Sequence, residues 1–116
     1  MRPLYRAFTE NSSDIPKIDK RDTIAEGIAI AEPFRGRQIL EAVRESSGEI
    51  LAVADSEIED SLRDNCRKGF YIEPTSAATI AGLRRYLQDY DPGGTIVSVF
   101  TGHGLKTTEK MLRLLQ

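Results

Sequence analysis

The stretch GFYIEPTSAATIAGL, residues 69–83, decides how this chain is expected to fold. Residues 70–73 (FYIE) begin with three aromatic or apolar residues and predict a brief strand. Pro74 suits the first turn of the following helix, predicted over 75–90, because its missing N–H is not needed there. The first turns of that helix are rich in small residues, which indicates close backbone packing or a bound group near the helix N-terminus.

Helices and strands alternate on both sides of this stretch. Residues 11–22 predict an exposed loop, and residues 23–31 fit either a strand or an irregular core segment. This order favours an α/β fold, a layered α/β/α arrangement with a small, mainly parallel sheet in one domain over 1–116. The remaining predictions are helices over 3–10, 36–46, 56–68 and 106–115, strands over 49–54 and 95–100, and a turn at 91–94.

Each predicted helix has an apolar face. In helix 56–68, Ile58, Leu62 and Cys66 recur every four residues. Asp55 is the expected N-cap of that helix, and Gly69 is its expected stop. The other expected core positions are Ile39, Leu40, Val43, Ile80, Leu83, Leu87 and Tyr90, and the apolar residues of the last helix are Met111, Leu112, Leu114 and Leu115. Gly48 is expected to end helix 36–46 by taking the left-handed conformation.

The composition is that of a soluble globular protein, with 40% apolar and 29% charged residues. The net charge of −2 does not indicate a nucleic-acid partner, and no apolar run approaches the ~18 residues that span a bilayer. Cys66 is the single cysteine and His103 the single histidine, which excludes an internal disulfide, a cysteine-based zinc site and a histidine-rich metal cluster. The N-terminus has no signal-peptide shape, so we expect a cytoplasmic protein without a membrane partner.

Two motifs follow predicted strands, at the sheet edge where α/β folds bind ligands. EPTSAAT (73–79) is a strand-to-helix corner whose free N–H groups suit an anion or a polar ring edge, although a well-capped helix start followed by alanines explains it too. VFTGHG (99–104) places Thr101 at a strand end, followed by two glycines that permit unusual backbone angles and close approach of another group. The alternative is a turn with an incidental histidine. We expect His103 to be a hydrogen-bonding loop residue rather than a general base.

The pair of motifs, in this order and at this spacing, resembles the closing segment of threonine synthases and of their fold-type-II pyridoxal-phosphate relatives, the threonine and serine dehydratases. TGHGLK (101–106) is more similar to the threonine synthase branch. The resemblance implies part of the large domain of such an enzyme, a lyase of amino-acid biosynthesis. It covers about Pro3 to Lys106 and includes PLYRAF (3–8), TIAEGIAI (23–30), GEILAVADSEI (48–58) and GFYIEPTSAA (69–78).

The resemblance implies a cofactor-binding role for five residues. In this superfamily a hydroxyl or thiol at the end of the last strand contacts the pyridine nitrogen of pyridoxal phosphate, and Thr101 occupies that position. Glu73 matches the glutamate of the family's E-P-x-S-A motif near the cofactor ring. Ser76, Gly102 and His103 would be neighbours of the same pocket. A neutral partner at the ring nitrogen would leave the ring less electron-withdrawing than a carboxylate partner does.

The chain also departs from the family's pattern. The family attaches its cofactor to a lysine and holds the cofactor phosphate in a glycine-rich loop, and neither motif is present. We therefore expect an isolated C-terminal part that has no catalytic residue, is incompetent alone and does not bind the cofactor stably. It would be a piece of a larger enzyme, a split or truncated gene product, or a standalone paralogue. None of the lysines stands in a Ser-x-Lys setting: Lys17, Lys20, Lys68, Lys106 and Lys110.

Two other interpretations stay open. The chain would be a standalone binding or regulatory module that reuses the fold, with a second chain supplying the lysine, or an unrelated small α/β domain. As part of a larger enzyme, it would leave a sheet edge or an apolar surface uncovered. We expect a homo-oligomer through that surface, or association with a chain that carries the remaining part.

Overall fold

The computed structural model describes residues 2–19 and 21–116. Two compact units are present, Met1–Asp22 with Ala29–Ala52 and Thr23–Ile28 with Val53–Gln116. All five predicted helices are confirmed, with ends within two residues of the prediction. They are α1 (Pro3–Thr9), α2 (Gly36–Glu45), α3 (Asp55–Arg67), α4 (Pro74–Asp89) and α5 (Thr108–Leu115), with short 3₁₀ turns at Glu26–Ile28 and Gly104–Thr107.

The first unit contains α1 and α2, which pack against each other. Ala7 of α1 and Leu40 of α2 are buried. The guanidinium group of Arg44 donates a hydrogen bond to the carbonyl of Ser12 at 2.9 Å. Of the apolar face predicted for α2, Leu40 is buried, whereas Ile39 is exposed. A small apolar contact between the two helices and the hydrogen bond from Arg44 to the backbone therefore hold this unit together.

The second unit is built around α3 and α4, which also pack against each other. Ile58 and Leu62 are at most 2% exposed, and Cys66 packs against the same cluster, which confirms the four-residue repeat of α3. Met111 from α5 closes this core. The buried cluster consists of Ala25, Ile58, Leu62, Ile72, Ala77, Ala78, Ala81 and Met111.

α4 turns its small residues towards the core. Ala77 and Ala81 are buried, whereas Leu87 and Tyr90 are 43% and 55% exposed, so the prediction that these two large side chains are buried is wrong. Alanines on a contact face allow the neighbouring helix to approach closely, because interaxial distance follows the side chains at the contact. The close packing indicated by the small residues of this helix is thus found.

Two predictions about the ends of the helices are wrong. Gly69, with φ of 90°, ends α3 as predicted. At the end of α2 the left-handed conformation falls on Ser47, with φ of 54°, and not on Gly48, whose N–H closes the turn onto a carbonyl one turn earlier. Asp55 is the first residue of α3 and not its N-cap. Its carboxylate instead accepts a hydrogen bond from the Thr23 hydroxyl at 2.5 Å.

The predicted parallel sheet is not found among residues 2–19 and 21–116. Residues 95–100, the clearest predicted strand, are exposed and form no backbone hydrogen bond to another segment of the described chain. Residues 49–54 are not a strand either, and from 70–73 only an isolated antiparallel bridge between Ile72 and His103 forms. A strand requires a neighbour for its N–H and C=O groups, and apolar patterning alone cannot supply one.

Candidate functional site

The corner where α4 begins is set by Glu73 and Pro74. Glu73 precedes the helix with extended backbone angles, φ −74° and ψ 159°, and Pro74 occupies the first helical position as predicted. Ser76 lies in the first turn and is fully buried. Because α4 continues for 16 residues, this first turn is held on a long helix that packs into the core of the second unit.

Residues 101–104 lie against this corner through backbone hydrogen bonds. The N–H of Glu73 donates to the carbonyl of Gly102 at 3.0 Å, and the N–H of Gly104 donates to the carbonyl of Tyr71 at 2.9 Å. Both bonds join segments that are about 30 residues apart in the chain. They bring the two sequence motifs together at one place in the second unit.

Three oxygen-bearing side chains meet beside Gly102. Ser76 Oγ accepts a hydrogen bond from the Gly102 N–H at 3.1 Å and lies 3.2 Å from Thr101 Oγ1. Thr101 Oγ1 donates to Glu73 Oε1 at 3.3 Å. Ser76 is fully buried and Thr101 is exposed, so the Thr101 hydroxyl is the one that a ligand can reach. We call Glu73, Ser76 and Thr101 the hydroxyl–carboxylate cluster.

Gly102 and Gly104 are needed for close packing and not for their backbone angles, since neither has a positive φ. A β-carbon on Gly104 would lie 2.9 Å from Tyr71 Cε1 and 3.0 Å from the terminal carbon of Met111. A β-carbon on Gly102 would overlap the carboxyl group of Glu73. The predicted close approach is therefore confirmed, and the predicted unusual backbone angles are wrong.

His103 follows the cluster in sequence, but its ring is engaged elsewhere. Its Nδ1 accepts a hydrogen bond from the N–H of Leu105 at 3.2 Å. The ring packs edge-on against Tyr71, with centroids 5.5 Å apart. With Nδ1 as an acceptor, the neutral ring has its proton on Nε2. This arrangement is that of a hydrogen-bonding loop residue, as expected.

Two features of this region were not assigned to the site from its motifs. The ammonium group of Lys106 lies 4.0 Å from Glu73 Oε2. A groove of about 340 Å³ beside Gly102 is lined in part by Phe70 and Phe100, whose ring centroids are 5.7 Å apart. The sequence signal for this groove was an aromatic residue shortly before each site residue, Phe100 before Thr101 and Phe70 before Glu73.

Two other lysines of the described chain form ion pairs with glutamates. Lys17 pairs with Glu32, and Lys110 pairs with Glu26 and donates to a backbone carbonyl. Lys20 lies outside the described residues. Within residues 2–19 and 21–116, no three acidic, histidine or cysteine side chains are arranged to hold a metal ion. None of the helices described is long and apolar enough to cross a membrane.

Residues 1–102 match the family model of pyridoxal-phosphate dependent enzymes. The chain belongs to this family. Its fold class is therefore α/β, although the described residues form helices and no parallel sheet. The match includes Glu73, Ser76, Thr101 and Gly102, and it ends one residue before His103.

This family member is similar to threonine synthases over most of its length. It is 36% identical to the threonine synthase of Methanocaldococcus jannaschii over 115 residues, which is 97% of this chain and 28% of that protein. With the threonine synthase of Halalkalibacterium halodurans it shares 40% identity over 111 residues, 90% of this chain and 31% of that protein. The enzyme of Mycobacterium tuberculosis is 38% identical over 95 residues, 79% and 26% of the two chains. The chain thus spans less than a third of the length of each of these curated relatives.

Proposed function

We propose that this chain is part of a threonine synthase-like enzyme, that it contributes the ring-contacting half of the pyridoxal-phosphate site, and that it is inactive alone. The observation that carries the proposal is the exposed hydroxyl of Thr101, held 3.2 Å from Ser76 Oγ and 3.3 Å from Glu73 Oε1. The similarity to threonine synthases supports the substrate class, which extends to this chain as part of the proposal.

The hydroxyl–carboxylate cluster suits one edge of a pyridine ring. A pyridine nitrogen accepts one hydrogen bond, and the hydroxyl of the exposed residue Thr101 would turn its single proton from Glu73 Oε1 to that nitrogen. The groove lined by Phe70 and Phe100 offers an apolar surface that suits an aromatic ring beside Gly102. We therefore propose Thr101, Glu73 and Ser76, with Gly102 and His103 as neighbours, as the residues of this chain that contact the cofactor.

Pyridoxal phosphate, when bound, supplies an electron-withdrawing ring for reactions at the carbons of an amino-acid substrate. In this proposal Thr101 binds the ring nitrogen, and Ser76 holds the Thr101 hydroxyl in place. Lys106, at 4.0 Å, offsets the charge of the Glu73 carboxylate. The chemistry also needs a lysine and a phosphate-binding loop. In this proposal, both would belong to the portion of the threonine synthase-like enzyme that lies outside the region this chain matches.

We also propose that residues 95–100 form a strand of a parallel sheet when that part, or a second copy of the chain, lies beside them. Val97 and Val99, which would share one face of such a strand, are 84% and 65% exposed, and Ile96 and Phe100, which would share the other, are exposed too. Apolar side chains on both faces are typical of strands covered on both sides. Because the unpaired backbone is open to pairing, the chain alone would form a homo-oligomer.

A cytoplasmic location is proposed on composition alone.

Complementation tests the proposed function. The chain would be mixed with a polypeptide comprising the portion of the M. jannaschii threonine synthase that it does not match, and threonine formation from O-phosphohomoserine would be measured with pyridoxal phosphate present. We expect activity from the mixture and none from either polypeptide alone. Thr101→Ala should reduce the activity about tenfold, the effect of one hydrogen bond of ~1.4 kcal/mol. The exposed hydroxyl of α4 gives a matched control, Thr79→Ala, which should retain activity.

Two results would contradict the proposal. One is a stable but inactive complex of the two polypeptides. The other is pyridoxal phosphate that stays on the chain alone through dialysis and is released when one of its lysines is changed. That second result would indicate a standalone cofactor-binding module, the alternative interpretation of the chain.

A further inference from the structure

We infer that the cavity between α3 and α4 binds a small zwitterion, a molecule with one ammonium and one carboxylate group such as a free α-amino acid. The cavity has a volume of about 150 Å³, and every residue that lines it belongs to one of these two helices. It lies within the second unit and shares no residue with the hydroxyl–carboxylate cluster. The inference therefore goes beyond the proposed function and does not depend on it.

Two small buried residues line the cavity, Ser61 of α3 and Ala81 of α4, and they are 1% and 3% exposed. Because protein interiors are close-packed, space of this size beside buried residues is available to a ligand. At ~30 Å³ for each water molecule, the space corresponds to about five waters. A small amino acid fits this space, whereas a nucleotide or a sugar phosphate is too large.

The hydroxyl group of Ser61 has no hydrogen-bond partner within residues 2–19 and 21–116. The carbonyl of the same residue is satisfied, since the side-chain amide of Asn65 donates to it at 2.8 Å. Buried polar groups are normally paired in folded proteins. A residue that lines a cavity and keeps an unpaired hydroxyl indicates that the missing partner belongs in that cavity. The hydroxyl can donate to a carboxylate or accept from an ammonium group.

The two walls of the cavity carry opposite charges. α3 contributes the carboxylates of Glu57 and Asp60, and α4 contributes the guanidinium groups of Arg84 and Arg85. Arg85 donates a hydrogen bond to Glu57 at 2.8 Å and so joins the two walls. Asp60 is exposed and forms no ion pair with another residue of the described chain. The α3 wall therefore keeps one negative charge for a ligand.

The α4 wall keeps hydrogen-bond donors for a ligand. Arg84 donates from Nη2 to Asp64 at 2.7 Å. A guanidinium group has more N–H donors than this one bond uses, and the others can bind a second carboxylate. The side-chain amide of Gln88 lies on the same wall and adds a further donor.

A zwitterion suits these walls better than a singly charged ligand does. A simple anion would be repelled by the carboxylates of the α3 wall, and a simple cation by the guanidinium groups of the α4 wall. An α-amino acid can direct its ammonium group to Asp60 and its carboxylate to Arg84. The Ser61 hydroxyl would then bind either group at the inner end of the ligand.

A ligand reaches the Ser61 hydroxyl only when side chains at the rim of the cavity move, because that hydroxyl is buried. The side chains of Arg84 and Arg85 are 39% and 44% exposed. Ion pairs at such exposure contribute little to stability, so they can rearrange easily. Binding should therefore shift the arginine side chains and leave α3 and α4 in place.

The first experiment titrates the full chain, without pyridoxal phosphate, with glycine, L-alanine and L-serine and follows the backbone amide signals by NMR. We expect saturable shifts at Ser61, Ala81 and Gln88 with at least one of these amino acids, and none at Gly102. No saturable shift with any of the three would show that the cavity holds only water and would overturn the inference. Shifts confined to Gly102 and its neighbours would place the ligand at the hydroxyl–carboxylate cluster and would overturn it too.

Two matched probes test the two charges of the ligand separately. Ethanolamine is L-serine without its carboxylate, and glycerate has a hydroxyl group in place of the ammonium group. Each should bind at least about tenfold more weakly than the amino acid that binds best, because each loses a charge-assisted hydrogen bond. Equal binding of either probe would mean that only one wall recognises the ligand, which contradicts the inference.

The second experiment repeats the titration with Asp60→Asn and Ser61→Ala. Each should weaken binding about tenfold, because each removes a partner of the ligand. Their controls are Asp89→Asn and Ser56→Ala, at exposed positions of α4 and α3 outside the lining of the cavity, and both should bind as the wild type does.

Stability separates a binding role of Ser61 from a structural one. Ser61→Ala removes a hydroxyl that has no partner in the ligand-free chain, so its midpoint of unfolding in urea should not fall although its binding weakens. Wild-type affinity in either cavity variant would overturn the inference. Asp60→Asn, at an exposed position, decides it if Ser61→Ala does not fold.

Discussion

Gly102 lies so close to Glu73 that a β-carbon at position 102 would overlap both carboxyl oxygens of the glutamate. At the same place the Gly102 carbonyl accepts a hydrogen bond from the Glu73 N–H at 3.0 Å. The loop is thus joined to the start of α4 through backbone and side chain together. A side chain at position 102 would have to displace the Glu73 carboxyl group, which occupies that space.

This contact predicts that Gly102→Ala makes the folded chain less stable. The added methyl group should lower the free energy of unfolding by ~1–3 kcal/mol, as overpacked substitutions do. Gly82→Ala, in the middle of α4 with nothing within 4 Å of the new β-carbon, is the matched control and should raise it by ~0.5–1 kcal/mol. Urea titrations measure both. Adding Glu73→Ala should recover most of the loss, and strict additivity of the two changes would show that the overlap is not the cause.

Leu62 is fully buried in the core between α3 and α4. Leu62→Ala should therefore lower the free energy of unfolding by ~2–5 kcal/mol, a large fraction of the ~5–15 kcal/mol typical of domains. Leu112→Ala, at a position 58% exposed, should change it by less than ~1 kcal/mol. Thermal unfolding followed by circular dichroism distinguishes the two. Similar losses for both variants would mean that α3 does not form the centre of this core.

Asp64 should make stability depend on pH. The Arg84 guanidinium donates a hydrogen bond to Asp64 at 2.7 Å, and this bond holds the pKa of the carboxyl below its ordinary value. A depressed folded pKa stabilises above the unfolded value of ~3.9, and the effect disappears as pH falls through the folded pKa. Asp64→Asn should lower the melting temperature at pH 7 but lose this effect at strongly acidic pH.

The same pair should respond to salt, because its two side chains are 39% and 41% exposed. In 1 M NaCl the difference between the wild type and Asp64→Asn at pH 7 should shrink. Asp60→Asn, at an exposed position of the same helix, is the control and should show a smaller difference. An Asp64→Asn effect that is the same at neutral and strongly acidic pH would exclude the proposed linkage.

Val97 should be central to self-association, since it is 84% exposed in a segment that forms no backbone hydrogen bond to another described segment. Val97→Lys places a charge on this surface and should shift the chain towards monomer, because lysine on an exposed strand edge opposes pairing. Thr79→Lys adds the same charge on the exposed face of α4 and should leave the assembly unchanged. Sedimentation velocity over a range of concentrations measures both. A wild-type chain that is monomeric throughout would contradict the proposed assembly.

Much of the local structure was predictable from the sequence. The bonds of a helix join residues four apart, so the repeat of Ile58, Leu62 and Cys66, with Gly69 as its stop, was enough to predict α3. Pro74 likewise marked the start of α4. The two motifs also indicated the family before any contact was known, because their order along the chain is a property of the sequence.

What only the tertiary structure decided involves partners that are distant in the chain. Which face of α4 is buried depended on α3, and so its alanines entered the core in place of Leu87. The segment 95–100 has the composition of a strand, but it forms no backbone hydrogen bond to another segment of the described chain. Ser76 and Thr101 are 25 residues apart, and their hydroxyl groups meet at 3.2 Å because the loop lies on the start of the helix. The reason is physical: bonds within a helix are determined locally, whereas strand pairing and a shared site require a second segment that only the fold brings into place.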